Sequence, residues 1–583
     1  MSDSTVRLDA EQEQAASISP DVRQIVLAPP GSGKTEVVAA LLQSLADQGL
    51  DAYDEILAIS FSRAAVGALR RRAGQGDAPA PAIRTLDGLA ARLLDELADE
   101  EWRALSFDKR IKRALELVEE GGESIDLDML RHLIVDEVQD LVGIRARLVW
   151  AILERLPGEV GFTLLGDPEQ AVYDFQLENE KDLTSGQFLD RVRGLGGVQD
   201  IRLQHQYRAR TEEAGAAATL LASRPCGEER TRVVRSFLSQ VFMAGDVADV
   251  GRAARRWKGS TAFLCRTNGQ ALMVSASLRD AGCPVGMRSQ AEELPVAAWI
   301  AETVHGSAGT TMRRTDVESR LAGLAPMGAE EAWRLLKEAE GDFRLHDRID
   351  LRRLRNAVAR RNLPAELLDG AAAGQVMLVS TIHRAKGLEF DNVVLINPSD
   401  LLPADADQED VSVAYVAATR PRVQLVAARC QLPRHLRLDN RTGRWYIGGY
   451  EKWRTRAFEV RGIDTSDAVD IEHGFSASSL PVGAEVSAVV DPRRSDFEFP
   501  IYSLQYGGHE VARTSEAFGR TLARRIGGYA GKRKVPWPGL SGLALEAVET
   551  RAGEGISIED PLLSLGVRVG GMATLDWGGN GAA

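Results

Sequence analysis

Short apolar runs alternate with amphipathic stretches through the N-terminal half of the chain. The runs are long enough for buried strands, and the stretches between them carry apolar residues at helical spacing. This alternation predicts a parallel β-sheet flanked by helices. The predicted strands are Gln24–Ala28, Ile56–Ser60, His132–Asp136, Phe162–Gly166 and Ile201–Leu203.

The same pattern returns later in the chain and predicts a second sheet. Residues 290–375 lie between its strands and are predicted to be mostly helical, because Ala329–Glu340 and Leu351–Arg361 carry apolar residues three and four positions apart. The predicted strands of this second sheet are Ala262–Cys265, Val376–Thr381, Asn392–Ile396 and Val423–Ala427.

The pattern changes again after Arg434, where Gly, Asp and aromatic residues interrupt short strand-like pieces. We predict a separate β-rich domain over residues 435–583, with a helix near Thr514–Ile526. Its predicted strands are Glu485–Val490, Phe497–Gln505, Leu543–Val548 and Val567–Leu575. The predicted fold class is therefore α/β, with two parallel sheets, a small helical insertion and a β-rich C-terminal domain.

Composition narrows the function classes. With 583 residues and roughly 150 residues per domain, about four domains are expected. Hydrophobic residues make up 44% of the chain, which excludes a largely disordered protein. The net charge of −13 argues against a histone-like coat but leaves room for a locally basic channel.

Targeting and cysteine patterns predict a cytoplasmic protein. The first twenty residues lack the apolar core of a signal peptide, and no run reaches the ~18 apolar residues that span a membrane, so no membrane partner is expected. The four cysteines show no CxxC pairing, which favours reduced thiols over a metal site or disulfides.

The strongest chemical signal follows the first predicted strand and precedes a helical run. A loop rich in glycine there could direct backbone N–H groups at a phosphate chain, with Lys34 reaching the β and γ phosphates and Thr35 ligating Mg²⁺. Position 28 is Ala, where the commonest pattern has Gly. The loop residues, all predicted to bind ATP, are Ala28, Pro29, Pro30, Gly31, Ser32, Gly33, Lys34 and Thr35.

A second signal is the pair of acids that ends the strand His132–Asp136. The carboxyl ends of parallel strands are where ligands bind in such sheets. Asp136 suits a Mg²⁺ site, and Glu137 could orient and deprotonate an attacking water. Alone, the pair could be a solvated strand end, but together with the phosphate loop it indicates an ATPase.

Eight further motifs, in one order along the chain, resemble those of UvrD/Rep-type superfamily 1 (SF1A) DNA helicases. Asp136–Asp140, for example, matches the DExQD motif, and Val379–Phe390 resembles TLHSAKGLEF. The stretches that carry the resemblance are Leu8–Gln12, Ala58–Ala65, Thr85–Leu89, Asp136–Asp140, Leu165–Tyr173, Gln204–Arg208, Val379–Phe390 and Ala414–Arg420.

The resemblance implies two RecA-like domains, which we expect at 1–210 and at 211–289 with 376–434. It also implies a reduced insertion of the 1B type at about 89–130 and a helical insertion of the 2B type at 290–375. Residues 435–583 would form the β-rich accessory domain, which carries no recognisable motif and lacks the spaced acids of a nuclease.

The resemblance also implies site roles. Gln12 would read adenine, Tyr207 would stack on it, and Gly387 and Glu389 would contact the nucleotide, Glu389 at the ribose. Gln170 would sense the γ-phosphate. Arg208 and Arg420 would be arginine fingers, which stabilise transition-state charge. The implied catalytic set is Glu137, Lys34, Gln170, Arg208 and Arg420.

Single-stranded DNA would be contacted by aromatic and polar residues of the motifs, although ordinary core packing is the alternative for each aromatic ring. Phe175 stands where the family usually has Trp, and Glu36 where it often has an Arg that covers adenine. In the tail, Lys532–Lys534 beside Trp537 is a weaker nucleic-acid candidate. The implied DNA-contacting residues are Phe61, Arg63, Tyr173, Phe175, Thr381 and His383.

The sequence therefore predicts an ATP- and Mg²⁺-dependent helicase that moves 3′ to 5′ on single-stranded DNA, with DNA junctions as substrates, in repair or recombination. The alternative is a DNA-stimulated regulatory ATPase subunit of a repair or defence complex, with little unwinding of its own and a protein partner at the C-terminal domain. The short insertions favour keeping this alternative. A small-molecule kinase would not explain Arg208, Arg420 or the motif from His383 to Phe390.

Overall fold

The computed structural model describes the chain with several gaps. The described residues are 7–52, 54–60, 66, 69, 82–95, 102, 105–121, 125–173, 177, 183–287, 294–307, 309–321, 323–341, 346–361, 363–368, 377–449, 455–466, 480–533, 536–553 and 562–577.

The strands are β1 Arg23–Leu27, β2 Ile56–Ser60, β3 Ala82–Thr85, β4 His132–Asp136, β5 Gly161–Gly166, β6 Val198–Arg202, β7 Met243–Asp246, β8 Thr261–Cys265, β9 Gly286–Met287, β10 Thr311–Arg313, β11 Arg348–Asp350, β12 Met377–Thr381, β13 Phe390–Ile396, β14 Pro421–Arg429, β15 Leu436–Asp439, β16 Arg444–Gly448, β17 Thr455–Val460, β18 Thr465–Ser466, β19 Glu485–Val490, β20 Tyr502–Tyr506, β21 His509–Thr514, β22 Gly539–Ala552 and β23 Leu563–Asp576.

The helices are α1 Ala10–Ala16, α2 Lys34–Asp47, α3 Leu86–Asp95, α4 Phe107–Glu119, α5 Ile125–Asp128, α6 Gly143–Arg155, α7 Ser185–Arg193, α8 Glu212–Ala218, α9 Gly227–Gln240, α10 Val247–Ala254, α11 Asn268–Asp280, α12 Ala298–Val304, α13 Arg314–Leu321, α14 Ala329–Glu340, α15 Leu351–Ala359, α16 Ile382–Ala385, α17 Gln408–Ala418 and α18 Glu516–Arg533.

Contacts divide the chain into two compact units. The first unit holds Met1–Val241, Ala385–Asp391 and Pro398–Leu425, and the second holds Phe242–Arg384, Asn392–Asn397 and Val426–Ala583. The segments 385–391 and 398–425 thus pack with the N-terminal residues, although the sequence motifs assign them to the second RecA-like domain. None of the described helices is both long and apolar enough to cross a membrane.

The first unit is built on a parallel six-stranded sheet in the order β3-β2-β4-β5-β1-β6. Apolar side chains of each strand alternate between two buried faces: Ile25 and Leu27 of β1 join one core, and Val26 joins the other. Helices cover both faces, which is why the inner strands β2, β4 and β5 are buried along their whole length. The carboxyl ends of β1, β4 and β5 lead into the candidate site.

A second sheet has the order β7-β14-β13-β8-β12-β9, and β8 pairs in parallel with both β12 and β13. The helical insertion follows β9 in the chain. Its helices α12–α15 enclose a core that also contains Leu563 of β23. The sequence prediction lacked the antiparallel pair β10–β11, in which β10 leads into α13 and β11 leads into α15.

The C-terminal region forms an antiparallel nine-stranded sheet in the order β15-β16-β17-β23-β22-β19-β20-β21-β18. Within the second unit, α12 and α15 pack on its long strand β22. The predicted fold class is confirmed: two parallel sheets, a helical insertion and a β-rich C-terminal region are all present.

Several element boundaries differ from the prediction for local reasons. The strand expected at Phe497–Gln505 begins only at Tyr502, because the Asp496 carboxylate accepts hydrogen bonds from the backbone N–H groups of Glu498 and Phe499 and holds a turn. The helix expected to reach Arg361 ends at Ala359; Arg361 has a positive φ of 52°. The expected strand Ile201–Leu203 is Val198–Arg202, and the C-terminal helix runs to Arg533.

The C-terminal sheet contains a buried ion pair that should be costly to break. Both guanidinium Nη atoms of Arg444 donate to the Asp464 carboxylate at 2.6 Å, and both side chains are buried. Asp464→Asn should lower the free energy of unfolding by about 3–5 kcal/mol, because it leaves a buried guanidinium without a counter-charge.

Tryptophan fluorescence during guanidinium titration measures this loss. The control is Glu516→Gln on α18, which breaks an exposed pair with Arg520 and should cost about 0.2–1 kcal/mol. Equal losses in the two variants would contradict the assignment.

Candidate functional site

The predicted phosphate loop connects β1 to α2 in the first unit. The backbone N–H of Ala28 donates to the Gly166 carbonyl at 2.9 Å, which fixes the loop to the end of β5. Gly31 and Gly33 both have φ of +80°, and a Cβ atom on Gly31 would lie 2.6 Å from Gln206 Nε2 and 2.7 Å from Arg208 Cβ. Both glycines are therefore required by backbone conformation and by space.

The loop offers donors suited to phosphate oxygens. The Ser32 hydroxyl and the Arg208 Nε atom are buried and have no hydrogen-bond partner among the described residues. Gly33 caps the N-terminus of α2, so Lys34 and Thr35 lie in its first turn, where the helix dipole favours an anion. These donors thus fit the phosphate chain of a nucleoside triphosphate.

Lys34 and Glu137 form an ion pair at the centre of the site, with Nζ 3.0 Å from Oε2. Glu137 follows β4 with a φ of 57°, a left-handed conformation that is unusual for a residue other than glycine. Burial disfavours its charged form, yet Lys34, Lys386 and Gln139 hold the pKa of Glu137 below its usual range. Glu137 is therefore a carboxylate at neutral pH.

The neighbouring groups respond to the same charges. Burial would lower the pKa of Lys34, but Glu137 and Asp136 raise it, so the ammonium form is retained. The pKa of Asp136 is raised, by burial first and by the Glu137 charge second. Asp136 ends β4 and Thr35 lies in the first turn of α2; their side-chain oxygens are of the type that Mg²⁺ prefers.

A chain of hydrogen bonds connects Glu137 to Arg420. Gln139 donates to Glu137 and accepts from the Asp167 N–H at 3.0 Å. Gln170 Nε2 donates to the Asp167 carboxylate at 2.8 Å, and Arg420 Nη2 donates to Gln170 Oε1 at 2.7 Å. Burial and the charge of Arg208 lower the pKa of Arg420 to about 10, so it stays a cation at neutral pH.

Arg208 lies beside Arg420. It pairs with Glu389 and donates through Nη1 to the Thr419 carbonyl at 3.1 Å. Arg422 also contacts Glu389, at 2.8 Å. Burial would raise the pKa of Glu389, but Arg208, Arg422 and Arg420 together lower it. The turn before Glu389 requires Gly387, whose φ is +75°.

Gln12 and Tyr207 lie on the other side of the phosphate loop. The capping box between Asp9 and Gln12 begins α1, and Gln12 Nε2 donates to the Ser32 carbonyl at 2.9 Å. Tyr207 is 55% exposed, while its N–H donates to the Gly31 carbonyl and its hydroxyl donates to Asp9. That hydrogen bond raises the pKa of Tyr207 to about 12. The ring is thus held in place with its surface exposed.

Two basic residues of the site have no role in the sequence prediction. Lys386 pairs with Asp140, donates to the Gln170 carbonyl at 2.6 Å and lies 5.2 Å from the Tyr173 ring centroid. Its place inside the motif Val379–Phe390 was the available signal.

Arg230 on α9 is the second. It contacts Glu169 at 2.7 Å and donates to Ser412 Oγ at 3.0 Å and to the Gln408 carbonyl at 3.1 Å. Glu169 precedes Gln170, and Ser412 lies on α17, which leads to Arg420. Nothing in the local sequence pattern distinguishes Arg230 from a solvated helix residue.

The predicted DNA-contacting residues lie partly outside the described residues and partly in each of the two units. Phe61, Arg63 and Phe175 fall outside the described residues. Tyr173 is half-buried against Lys386 in the first unit. In the second unit, Thr381 is buried at the end of β12 and His383 lies in α16.

Comparisons with known proteins agree with these motifs. Residues 12–176 match a family model described as an AAA domain, and residues 330–431 match the UvrD-like helicase C-terminal domain. The chain is 26% identical over 345 residues to "ATP-dependent DNA helicase UvrD2" of Mycobacterium tuberculosis and of Mycobacterium bovis, covering 51% of this chain and 47% of those relatives.

A second relative is shorter in its match. "Putative ATP-dependent DNA helicase R568" of Acanthamoeba polyphaga mimivirus is 29% identical over 169 residues, covering 27% of this chain and 24% of the relative. The chain thus spans about half the length, or less, of these curated relatives. A solved structure titled "Crystal Structure of DUF1998 helicase MrfA bound to DNA and AMPPNP" aligns with a TM-score of 0.33 and 10% identity, covering 73% of this chain and 48% of that one, a similarity too low to support any argument.

Gly31→Ala should weaken nucleotide binding by at least tenfold, because the added Cβ meets the Arg208 Cβ and Gln206 and forces the loop open. Titration of the full chain with a fluorescent ATP analogue measures this effect. Gly49→Ala is the matched control: Gly49 has a φ of +94° but open space around it, so it carries the backbone strain without the clash. Equal affinity in both variants would contradict the loop geometry.

Proposed function

We propose that this chain, which belongs to the UvrD-like DNA helicases of superfamily 1A, is an ATP- and Mg²⁺-dependent motor. It moves 3′ to 5′ along single-stranded DNA and separates duplex DNA at junctions during repair or recombination. The observation that carries this proposal is the convergence of Arg208 and Arg420 on Gln170 and Glu389, beside the phosphate loop.

The residues of the site supply the parts that phosphoryl transfer needs. The loop from Ala28 to Thr35 would hold the phosphates, with Lys34 against the β and γ groups. Thr35 and Asp136 would hold Mg²⁺, which neutralises phosphate charge when bound. The Glu137 carboxylate would orient the attacking water and receive its proton. Arg208 and Arg420 would stabilise the charge that develops on the γ-phosphate.

Recognition of the base and ribose would come from the flanks of the loop. Tyr207, already held by Asp9 and the Gly31 carbonyl, presents its ring for stacking on adenine. Gln12 lies beside Ser32 and would read the adenine edge. Glu389 would contact the ribose. Glu36 provides no cation to cover the other face of the base, which predicts weaker discrimination among nucleotides.

Arg230 and Lys386 would hold Gln170 and Arg420 in position. Arg230 bonds to Glu169, next to Gln170, and to the helix that leads to Arg420. Lys386 bonds to Asp140 and the Gln170 carbonyl, and it lies in the same motif as His383. A shift of His383 when DNA binds would therefore be transmitted through the short segment from His383 to Lys386 to Gln170, the proposed γ-phosphate sensor.

The short distance between two of the motifs favours a second candidate function. Gly88 and Asp136 are 136 − 88 = 48 positions apart, and this short segment contains α4 and α5. A motor with so small an insertion has little surface with which to grip duplex DNA. A DNA-stimulated regulatory ATPase with little unwinding of its own is the function that this length supports.

Strand displacement tests the proposal and separates the two candidates. The chain should displace the short strand from a duplex with a 3′ single-stranded tail, and not from the same duplex with a 5′ tail. Lys34→Ala should abolish both hydrolysis and displacement, because the β and γ phosphates lose their fixed cation. The control is Lys112→Ala, an exposed lysine on α4.

Displacement only of the 5′-tailed duplex would refute the proposed direction. DNA-stimulated hydrolysis without displacement of either duplex would favour the regulatory ATPase. Full hydrolysis by Lys34→Ala would refute the site itself.

A further inference from the structure

The C-terminal sheet has the strand connectivity of an oligonucleotide-binding barrel. Strand β19 pairs with β20 and with β22, β20 pairs with β21, and β22 pairs with β23, all antiparallel. The long helix α18 lies between β21 and β22 in the chain. A five-stranded Greek-key barrel with this order, and with a helix between its third and fourth strands, is the OB fold.

Closure of the barrel supports this assignment. Strand β17 pairs with β23, and β18 pairs with β21, with only Arg461–Asp464 between β17 and β18 in the chain. The segment Thr455–Ser466, two strands joined by a short 3-10 turn, therefore bridges the third and fifth barrel strands. Phe518 and Leu522 of α18 fill the interior against residues of these strands.

OB folds bind single-stranded nucleic acids on the face of their second and third strands and in the loop between the first and second. Here that loop is Asp491–Ile501, and several hydrogen bonds hold its two ends together. The Asp491 N–H donates to the Ile501 carbonyl at 2.8 Å, and Ser495 Oγ accepts from the Ile501 N–H at 2.8 Å. Trp537 Nε1 donates to the Asp496 carbonyl at 2.7 Å and so links the loop to the chain just before β22.

The loop carries an exposed aromatic ring. Phe497 is 79% exposed, while Phe499, two positions on, is buried with Ile501 and Trp537. Arg493 and Arg494 precede Phe497 and are exposed. Three acids share the loop: Asp491 and Asp496 accept backbone hydrogen bonds within it, Asp491 also lies 3.9 Å from Arg494 Nε, and Glu498 lies 3.7 Å from Arg520. The loop thus combines an exposed aromatic ring with two exposed guanidinium groups, one of which is paired with Asp491.

We propose that the loop Asp491–Ile501, with the adjoining face of β20 and β21, is a second binding site for single-stranded DNA. Phe497 stacks on a base, and Arg493 and Arg494 contact phosphates. An aromatic ring beside arginines suits a strand that presents both bases and charge, whereas a neutral oligosaccharide would make no use of the arginines. Binding at this site would need no ATP, and none of its residues belongs to the proposed ATP site.

Photocrosslinking tests the stacking contact. The full chain, without nucleotide, is irradiated with an oligodeoxythymidine of about 20 nucleotides that carries 5-iodouracil. The proposal predicts an adduct on the tryptic peptide Ser495–Arg513, lost in Phe497→Ala. Leu438→Ala is the matched control, because Leu438 is exposed on β15 and outside the barrel face.

Salt dependence tests the arginines. In fluorescence anisotropy with the same oligonucleotide, Arg493→Ala with Arg494→Ala should reduce the slope of log K against log salt by about 1.4, since each phosphate contact on a single strand contributes about 0.7. The control is Arg441→Ala, an arginine that is also exposed.

Adducts confined to peptides before residue 435, or adducts unchanged by Phe497→Ala, would overturn the proposal and leave the exposed ring to a protein partner. An unchanged salt slope would also overturn it. Neither result bears on hydrolysis, so loss of this site and loss of the motor activity are distinguishable.

Discussion

The hydrogen bond from Arg420 to Gln170 is the contact on which the site depends. Arg420 is only 2% exposed, and a buried guanidinium is tolerated only when its donors are satisfied. It meets this requirement with the Val416 and Leu388 carbonyls and with Gln170 Oε1. Gln170 is held in turn by Asp167. Arg420 therefore cannot shift without disturbing the groups that lead back to Glu137 and Lys34.

Dense charge in a buried space explains the directions of the pKa shifts. Burial and the nearby cations act on these acids in opposite directions: Lys34 and Lys386 hold the pKa of Glu137 below its usual range, whereas at Asp140 burial outweighs Lys386 and raises the pKa to about 6. Fixed charges in a site that excludes water act strongly on a developing negative charge and need no rearrangement. The arrangement would favour the proposed phosphoryl transfer at some cost in stability, because each buried pair also costs desolvation.

Local pattern was sufficient for the core elements and insufficient for contacts between distant residues. Apolar runs predicted β2 and β4, and three- and four-residue spacing predicted the helix Ala329–Glu340, all with the bounds that the structure shows. Strands of three residues, such as β10, carry too little periodicity to detect. Arg230 is buried by partners 61 and 182 positions away, and barrel closure depends on β17 and β18 pairing with strands far along the chain. Neither the burial of Arg230 nor the closure of the barrel can be predicted from the neighbouring sequence.

A double-mutant cycle on Arg420 and Gln170 tests the central claim most directly. The quantity measured is the DNA-stimulated rate of ATP hydrolysis under single-turnover conditions, with nucleotide affinity determined alongside. Arg420→Ala should cut the rate by ~10³ or more while nucleotide affinity is largely retained. Because the two side chains act as one unit, adding Gln170→Ala should slow the reaction little further. Normal turnover by Arg420→Ala, or losses that multiply in the double variant, would contradict the account.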